Sequence, residues 1–184
     1  MDWEFGVLDY IQNYCRNDFL DMVMSFWSGL GTISAIWIVL TVILLIFKKT
    51  RRIGWVCVIG FILCFLIGNC IFKPIIARIR PYDINTLVTL IVPKEHDYSF
   101  PSGHTMFAMC FATILFCKNK LIGLFSFIFA AIMAFSRLYL YMHFPTDVLF
   151  GAILGIAIGF FSVYIADKLF ERYKTKKISP ILSK

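Results

Sequence analysis

Long uncharged runs of mostly apolar residues restrict the possible folds of this chain more than any other feature of its sequence. Three of them, at 22–47, 53–72 and 148–166, are long enough to cross a bilayer, because about 20 helical residues rising about 1.5 Å each span its hydrocarbon core. Two shorter runs, at 100–117 and 121–136, complete the set, and the second spans only if its helix continues through the RLYLYM that follows. The sequence therefore predicts an all-α integral membrane bundle of about five transmembrane helices, consistent with its 60% hydrophobic residues.

The segment before these runs, residues 1–21, is acidic, whereas a cleaved signal peptide begins with basic residues, and the run after it is too long for one. Apolar residues recur in it at helical spacing, at Trp3, Val7, Ile11 and Tyr14. This pattern favours an amphipathic helix lying on the membrane surface. A frayed tail is the alternative.

Basic residues cluster between the first and second runs, between the third and fourth, and in the tail at 169–184. All three clusters fall on one side of a five-helix topology, and the bias of Lys and Arg makes that side cytoplasmic. The chain is predicted to be one domain, residues 1–184, in the cell membrane, with its bundle at 22–168 and its N-terminus and residues 73–101 outside. The net charge of +7 follows from this topology and does not indicate a nucleic-acid partner.

The outward segment 73–101 is the longest break between the apolar runs. Its prolines and scattered charges argue against a continuous helix. Its mixed apolar and charged character favours docking against the outward end of the bundle. The stretch NTLVTLIVP within it is compatible with a short surface helix, a strand or a docked loop.

Small residues inside the runs are predicted to serve packing. Gly151, Gly155 and Gly159 recur every four residues, a spacing that lets membrane helices approach closely; we expect packing within the bundle, with dimerisation as the alternative. The six cysteines lack the C-x-x-C spacing of a metal site and do not form a disulfide framework. They are interpreted as small apolar residues.

The outward side carries more cations than its topology favours, together with all three histidines of the chain. Ionisable residues at such depths are candidates for function. Three short stretches hold most of them: KPIIARIRP at 73–81, PSGH at 101–104 and SRLYLYMHFPTD at 136–147. Each stretch lies at a helix end on the same side of the membrane, so a five-helix bundle is able to bring all three together.

These stretches have the composition of a phosphate site. Lys73, Arg80 and Arg137 supply three cations, and the guanidinium fork of Arg matches phosphate oxygens. Ser102 and Gly103 add a hydroxyl and an accessible backbone at a helix N-terminus, which favours anions by its free N–H groups and its dipole. The set fits a phosphate monoester or a diphosphate better than a carboxylate.

Two histidines in one anion site allow a division of labour. We expect His143 to attack phosphorus, His104 to protonate the departing oxygen, and Asp147, four residues after His143, to orient and stabilise the imidazole. The cations would stabilise the charge of the transition state. The remaining acidic residues of the outward segment show no recognisable ligand pattern, so we expect a hydrolysis that needs neither metal nor cofactor.

The three stretches resemble the signature of the type 2 phosphatidic acid phosphatase family, K-x6-R-P, P-S-G-H and S-R-x5-H-x3-D, at every position and in order. The resemblance covers roughly residues 50–168. It implies a phosphohistidine formed on His143 without metal. It also implies that His104 is the general acid, that Asp147 is the orienting carboxylate and that phosphate is bound by a set of five residues: Lys73, Arg80, Ser102, Gly103 and Arg137. Many membrane members have six spanning helices, and this chain is predicted to have five and a surface helix.

The family also contains soluble vanadium haloperoxidases, an activity against which the membrane helices argue. The expected activity is hydrolysis of a lipid phosphate or diphosphate at the outer membrane face, as in small bacterial members that act on undecaprenyl diphosphate. Phosphatidic acid and phosphatidylglycerol phosphate are the alternative substrates. A transporter and a non-catalytic lipid-binding protein are the competing functions. The first would require polar residues through the depth of the bilayer, which the runs at 22–47, 53–72 and 148–166 almost lack.

Other outward residues receive simpler interpretations. Arg78 is expected to snorkel, so that its charge reaches the membrane interface, and binding of lipid headgroups is the alternative. His96 is expected to be a solvated loop residue. Tyr139 and Tyr141 fit an aromatic belt at the membrane interface.

Overall fold

The computed structural model of the chain describes residues 2–30 and 35–182. Every regular element in these two ranges is helical, which confirms the predicted all-α class. The first half of the chain forms six helices: α1 (Asp2–Tyr10), α2 (Asp18–Leu30), α3 (Ala35–Ile46), α4 (Arg51–Cys64), α5 (Lys73–Ile76) and α6 (Pro81–Ile84). Two segments are π-helical: Ile11–Cys15 after α1 and Phe65–Phe72 between α4 and α5.

The second half of the chain forms three longer helices: α7 (Gly103–Lys118), α8 (Lys120–Tyr139) and α9 (Pro145–Leu182). Local sequence accounts for two of their starts. The Asn119 side chain accepts from the amide of Ile122 (3.1 Å) and caps α8. Pro145 opens α9, where its fixed φ suits the first helical position and its missing N–H is not needed.

Three helical segments of the described chain are long and apolar enough to cross a membrane: Arg51–Ile84, Lys120–Tyr139 and Pro145–Arg172. Two shorter apolar helices accompany them, Ile36–Ile46 and Gly103–Lys118. The runs at 53–72, 100–117, 121–136 and 148–166 thus correspond to helical segments. The described residues of the run at 22–47 belong to two helices, α2 and α3, and residues 31–34 of that run lie outside the described ranges. The helix of the fourth run ends at Tyr139, before the end of RLYLYM, and α9 continues through the predicted tail to Leu182.

The glycines of α9 let it pack directly on α7. A Cβ at Gly151 would lie 2.7 Å from the carbonyl oxygen of Ser102, and one at Gly159 would lie 2.7 Å from Cβ of Thr113. Such distances leave no room for a side chain. The glycine spacing therefore serves packing inside the bundle, as predicted. Cys57, Cys64 and Cys110 are buried in the same core, and all six cysteines are free thiols.

A second apolar cluster closes the end of the bundle at which residues 73–101 lie. Leu8 and Ile11 of the N-terminal segment pack there against the turn between α8 and α9, and Val88 and Leu90 of the outward segment border the cluster. The outward segment is therefore docked against the bundle, as expected. Between α6 and α7 it runs as a loop without regular structure.

Tyr139 and Tyr141 belong to this cluster, and their interpretation as an aromatic belt is wrong. Both are buried; the hydroxyl of Tyr139 donates to Asp21 (2.6 Å), and that of Tyr141 donates to Asp9 (2.7 Å). The N-terminal segment covers both rings and accepts both hydroxyl protons. The phenol groups thus fasten that segment to the end of α8.

Candidate active site

The three motif stretches meet at one end of the bundle. Lys73 opens α5, Arg80 precedes α6, Arg137 lies in the last turn of α8, and His143 lies in the turn before α9. These four side chains are buried. Buried charges are tolerated only where partners compensate their lost hydration, so the contacts of each one indicate what the site can do.

The hydrogen bonds of His143 determine its tautomer. Its Nδ1 lies 2.7 Å from the carbonyl oxygen of Ser99. A carbonyl only accepts, so Nδ1 carries the proton and Nε2 keeps its lone pair. Nε2 lies 3.3 Å from Nη1 of Arg80 and therefore faces the cations. Burial and the charge of Arg80 lower the pKa of His143, against the opposing effect of Asp147, which favours the neutral, nucleophilic form.

Asp147 is completely buried and held by three donors. The amide of Phe144 (2.9 Å) and the hydroxyl of Ser99 (2.5 Å) donate to one of its oxygens, and Arg78 Nη1 donates to the other (2.5 Å). That carboxylate lies 3.8 Å from Nδ1 of His143, beyond a hydrogen bond. Ser99 therefore connects the two residues, because its carbonyl accepts from His143 while its hydroxyl donates to Asp147.

Arg78 does not snorkel or reach for lipid headgroups, and that interpretation is wrong. Its Nη1 donates to Thr146 (2.6 Å) as well as to Asp147, its Nη2 donates to Glu4 (2.6 Å), and its guanidinium lies 4.0 Å from the ring centroid of Phe144. Arg78 is thus part of the structure that holds Asp147.

Two carboxylates from the outward segment neutralise the cations of the site. Asp97 forms ion pairs with Lys73 and with Arg80 (2.5 Å). Glu95 forms ion pairs with Arg80 (2.6 Å) and, through its other oxygen, with Arg137 (3.5 Å). The expected phosphate ligands are therefore occupied by internal anions.

The pKa values of these carboxyls reflect the same contacts. Burial acts to raise the pKa of Asp97, but Lys73 and Arg80 outweigh it and lower that pKa to about 2. Burial likewise acts to raise the pKa of Glu95. Arg80, the neighbouring histidines and Arg137 outweigh this effect, so that pKa lies below its usual range. Both side chains are accordingly anions at neutral pH.

Two buried polar atoms at the site have no hydrogen-bond partner within the described chain: Nη2 of Arg137 and Oδ1 of Asn69. Unpaired buried donors and acceptors are costly and are found where a ligand completes them. Asn69 also lines a cavity of 710 Å³, together with Lys73, Arg80 and Glu95. The cavity is large enough for a phosphate or diphosphate group, with Lys73 and Arg80 in its wall.

The PSGH stretch joins two helices of the bundle, while the roles predicted for its residues at the phosphate stay predictions. The amide of Ser102 donates to the carbonyl of Asp147 (3.1 Å), and its hydroxyl is 3.0 Å from that of Thr105, so Ser102 joins α7 to α9. Gly103 has open space where a Cβ would stand, its nearest neighbour being Asn69 at 4.0 Å. His104 lies at the same end, with Nδ1 3.9 Å from Glu95.

One group of side chains has the spacing of a metal site. Ligand atoms of Glu95, His104 and His143 lie within 4.8 Å of one another. The oxygens of Glu95 are engaged by Arg80 and Arg137, and a divalent cation there would face both guanidinium charges. The two neighbouring guanidinium charges therefore disfavour a metal at this group of side chains.

Seven residues of the site were not found from the sequence as site residues: Glu4, Asn69, Arg78, Glu95, Asp97, Ser99 and Thr146. Ser99 precedes PSGH by two residues and gave no signal of its own. Glu95 and Asp97 were noted only as lacking a ligand pattern. His96, between them, is exposed, in agreement with its interpretation as a solvated loop residue.

Comparison with known proteins places the chain in a family. The sequence profile of the PAP2 superfamily matches residues 54–171. The chain is 38% identical over 154 residues to an undecaprenyl-diphosphatase of Sulfolobus acidocaldarius, covering 83% of this chain and 74% of that protein. It is 31% identical over 158 residues to the undecaprenyl-diphosphatase BcrC of Bacillus subtilis, covering 84% and 79%.

The fold agrees with a solved member. The crystal structure of a transmembrane PAP2-type phosphatidylglycerolphosphate phosphatase from Bacillus subtilis superposes with a TM-score of 0.73 at 25% identity, covering 91% of this chain and 86% of that one. The chain belongs to the PAP2 superfamily, which confirms the family that the three motifs predicted.

Proposed function

We propose that this protein is a membrane lipid phosphatase that hydrolyses undecaprenyl diphosphate without a metal, through a phosphohistidine on His143. The observation that carries the mechanism is the geometry of that histidine, whose lone pair on Nε2 faces a group of buried cations. The substrate is supported by two relatives that are named undecaprenyl-diphosphatases. Phosphatidic acid and phosphatidylglycerol phosphate are the alternative substrates.

The reaction proceeds in two displacements at phosphorus. Nε2 of His143 attacks the terminal phosphorus, the bond from that phosphorus to the bridging oxygen breaks, and His104 protonates the departing lipid monophosphate. A water molecule then gives its proton to His104 and attacks the phosphohistidine. The phosphorus–nitrogen bond breaks, inorganic phosphate leaves, and His143 is regenerated.

Binding of the substrate exchanges one set of anions for another. Lys73, Arg80 and Arg137 are paired with Asp97 and Glu95, and the phosphate oxygens replace these carboxylates. Nη2 of Arg137, buried without a partner, is a donor that phosphate satisfies directly. Because the exchange conserves charge pairing, the cations stay compensated in both states.

An apolar cavity of 540 Å³ suits the lipid tail. Side chains of α3 and α4 line it, including Ile38 and Phe61, and it reaches Asn69. Asn69 also lines the polar cavity of the phosphate site. A lipid lying along the bundle is thus able to place its tail among apolar side chains and its headgroup beside Lys73.

The orientation of the bundle follows from its charges. We infer five spanning helices, with residues 22–47 crossing once and the active site at the outer face, where a diphosphate headgroup would lie. The opposite end carries the basic clusters, and Arg52 and Lys118 both pair there with Asp167. On the outer side, Trp3, Tyr10 and Tyr14 are exposed, which suits a helix whose apolar stripe contacts the interface.

The test is phosphate release by the purified protein from undecaprenyl diphosphate, phosphatidic acid and phosphatidylglycerol phosphate in mixed micelles, with chelator present. We expect the first lipid to give the highest kcat/KM. His143→Ala should abolish turnover and the acid-labile phosphoenzyme trapped by rapid quench, because it removes the nucleophile. His96→Ala, which changes an exposed histidine, is the matched control and should stay active. Full activity of His143→Ala would overturn the mechanism.

A further inference from the structure

We propose that Glu4 is a positioning residue of this active site, acting through Arg78 on the carboxylate of Asp147. The inference rests on the proposed function, because it assigns Glu4 to the same reaction. The profile of the superfamily begins to match at residue 54, so α1, in which Glu4 lies, is outside the region that defines the family. The N-terminal helix would then be a working part of the site.

The contacts form one connected chain of charged and polar groups. Glu4 is only 4% exposed, and both of its oxygens accept: Oε2 from Arg78 Nη2 (2.6 Å) and Oε1 from the hydroxyl of Thr146 (2.6 Å). Arg78 Nη1 donates to the same hydroxyl (2.6 Å) and to Oδ1 of Asp147 (2.5 Å). Glu4, Arg78 and Thr146 therefore hold one another while Arg78 holds Asp147.

Arg78 lies between two carboxylates, and this arrangement affects both its charge and its position. Glu4 compensates much of the guanidinium charge, so that Asp147 remains a strong partner for a positively charged His143. Glu4 also holds the Arg78 guanidinium through Nη2, which keeps Nη1 directed at Asp147. Without Glu4 the guanidinium would pair with Asp147 as its only carboxylate. It would then weaken the attraction of Asp147 for a positively charged His143, and it would be free to rotate.

Docking of α1 does not depend on Glu4 alone. The ring of Phe5 packs edge-on against Phe144 with centroids 5.3 Å apart. Asp9 accepts from the hydroxyl of Tyr141 (2.7 Å), and Gln12 donates to the carbonyl of Tyr139 (2.7 Å). An isosteric change at Glu4 should therefore leave the helix in place, which makes a kinetic test meaningful.

The experiment compares Glu4→Gln with Asp2→Asn in the full-length protein, on the lipid that the wild type hydrolyses best. Asp2 is exposed on the same helix, so its variant loses the same charge without touching Arg78. We expect Glu4→Gln to lower kcat about tenfold and to change KM less than about twofold, because a charged hydrogen bond to the positioning group is lost while the phosphate ligands remain. Asp2→Asn should behave as the wild type.

A double-mutant cycle separates positioning from a general effect of the helix. In an Arg78→Gln background, Glu4→Gln should cause no further loss of kcat, because its path to Asp147 is already broken. Additive losses would overturn the inference. Thr146→Val, which removes the second partner of Glu4 and keeps the residue volume, should also lower kcat with little change in KM. It provides the test if Glu4→Gln does not fold.

The possible failures are distinguishable. If the wild type releases no phosphate from any of the three lipids, the proposed function fails and the inference fails with it. If the wild type is active and Glu4→Gln has the same kcat and KM as the wild type, the inference alone is overturned. A rise in KM with unchanged kcat also contradicts it, because that result would assign Glu4 to substrate binding. The concentration of folded protein, measured by gel filtration for every variant, normalises kcat.

Discussion

Ser99 and Arg78 determine how the histidine and the aspartate of the third motif work together. Sequence spacing suggests a direct pair, but the carboxylate of Asp147 lies 3.8 Å from Nδ1 of His143. Ser99 bridges the gap with its carbonyl and its hydroxyl. The tautomer is thereby fixed by the backbone, while Asp147 contributes charge. The imidazole of His143, the proposed nucleophile, is thus oriented by a group that no side-chain substitution removes.

The charge environment of His143 predicts the pH dependence of the reaction. Burial and the nearby Arg80 lower its pKa below the usual value of 6.5. The nucleophile must be neutral, and a lowered pKa keeps it neutral to lower pH; the acid limb of kcat/KM should therefore lie below pH 6.5. The measurement is the pH profile of phosphate release by the wild type.

Asp147→Asn supplies the control for this pH profile, because ionisation of the substrate is the same for both enzymes. Asp147 opposes the lowering of the pKa of His143. Its loss should move the acid limb to still lower pH and reduce kcat. A limb above pH 6.5 in the wild type would mean that His143 rests as the imidazolium.

At the scale of elements, the loop between α6 and α7 places its own carboxylates on the cations that we propose bind phosphate. Asp97 contacts Lys73 and Arg80, and Glu95 contacts Arg80 and Arg137. A loop with these charges docks because the cations need partners when no phosphate is bound. The loop therefore competes with the substrate for the same three cations.

Removal of one of these carboxylates should strengthen anion binding. In Asp97→Asn the charge that competes for Lys73 and Arg80 is lost, so orthovanadate should inhibit at a concentration about five- to tenfold lower, as expected for about 1 kcal/mol at a half-exposed ion pair. Asp83→Asn is the matched control, since Asp83 lines the same cavity and pairs with the exposed Lys94. Equal effects of the two variants would contradict direct competition by Asp97 and would indicate a general change in the electrostatic potential of the cavity.

The sequence predicted which helix ends would meet, because the apolar runs define the helices and the three motifs lie at ends on one side. It also predicted Lys73, Arg80 and His143 as neighbours. It did not predict the residues that hold them. Glu4 and Arg78 are 74 residues apart, and such a contact leaves no periodicity in the chain. The same is true of Asp97, which reaches the site only because its loop folds back over it.

For the whole molecule, the two ends of the bundle differ in how they carry charge. The site end holds Arg80, Arg137 and Asp147 buried in a connected network. The other end holds Arg52, Lys118 and Asp167 in exposed or half-exposed pairs. The first arrangement is costly and requires a function, whereas the second is the ordinary signal for the cytoplasmic side. The two ends thus support one orientation of the bundle.

Labelling of single cysteines tests that orientation. Lys94 and Lys49 are both exposed, Lys94 on the loop beside the site and Lys49 in the basic cluster after α3. In intact cells a membrane-impermeant maleimide should modify Lys94→Cys and leave Lys49→Cys unmodified; permeabilised cells should show both. The unsubstituted chain controls for its native thiols, of which Cys70 and Cys117 are exposed. The reverse pattern would place the site in the cytoplasm, and a lipid headgroup would then have to reach it from the inner leaflet.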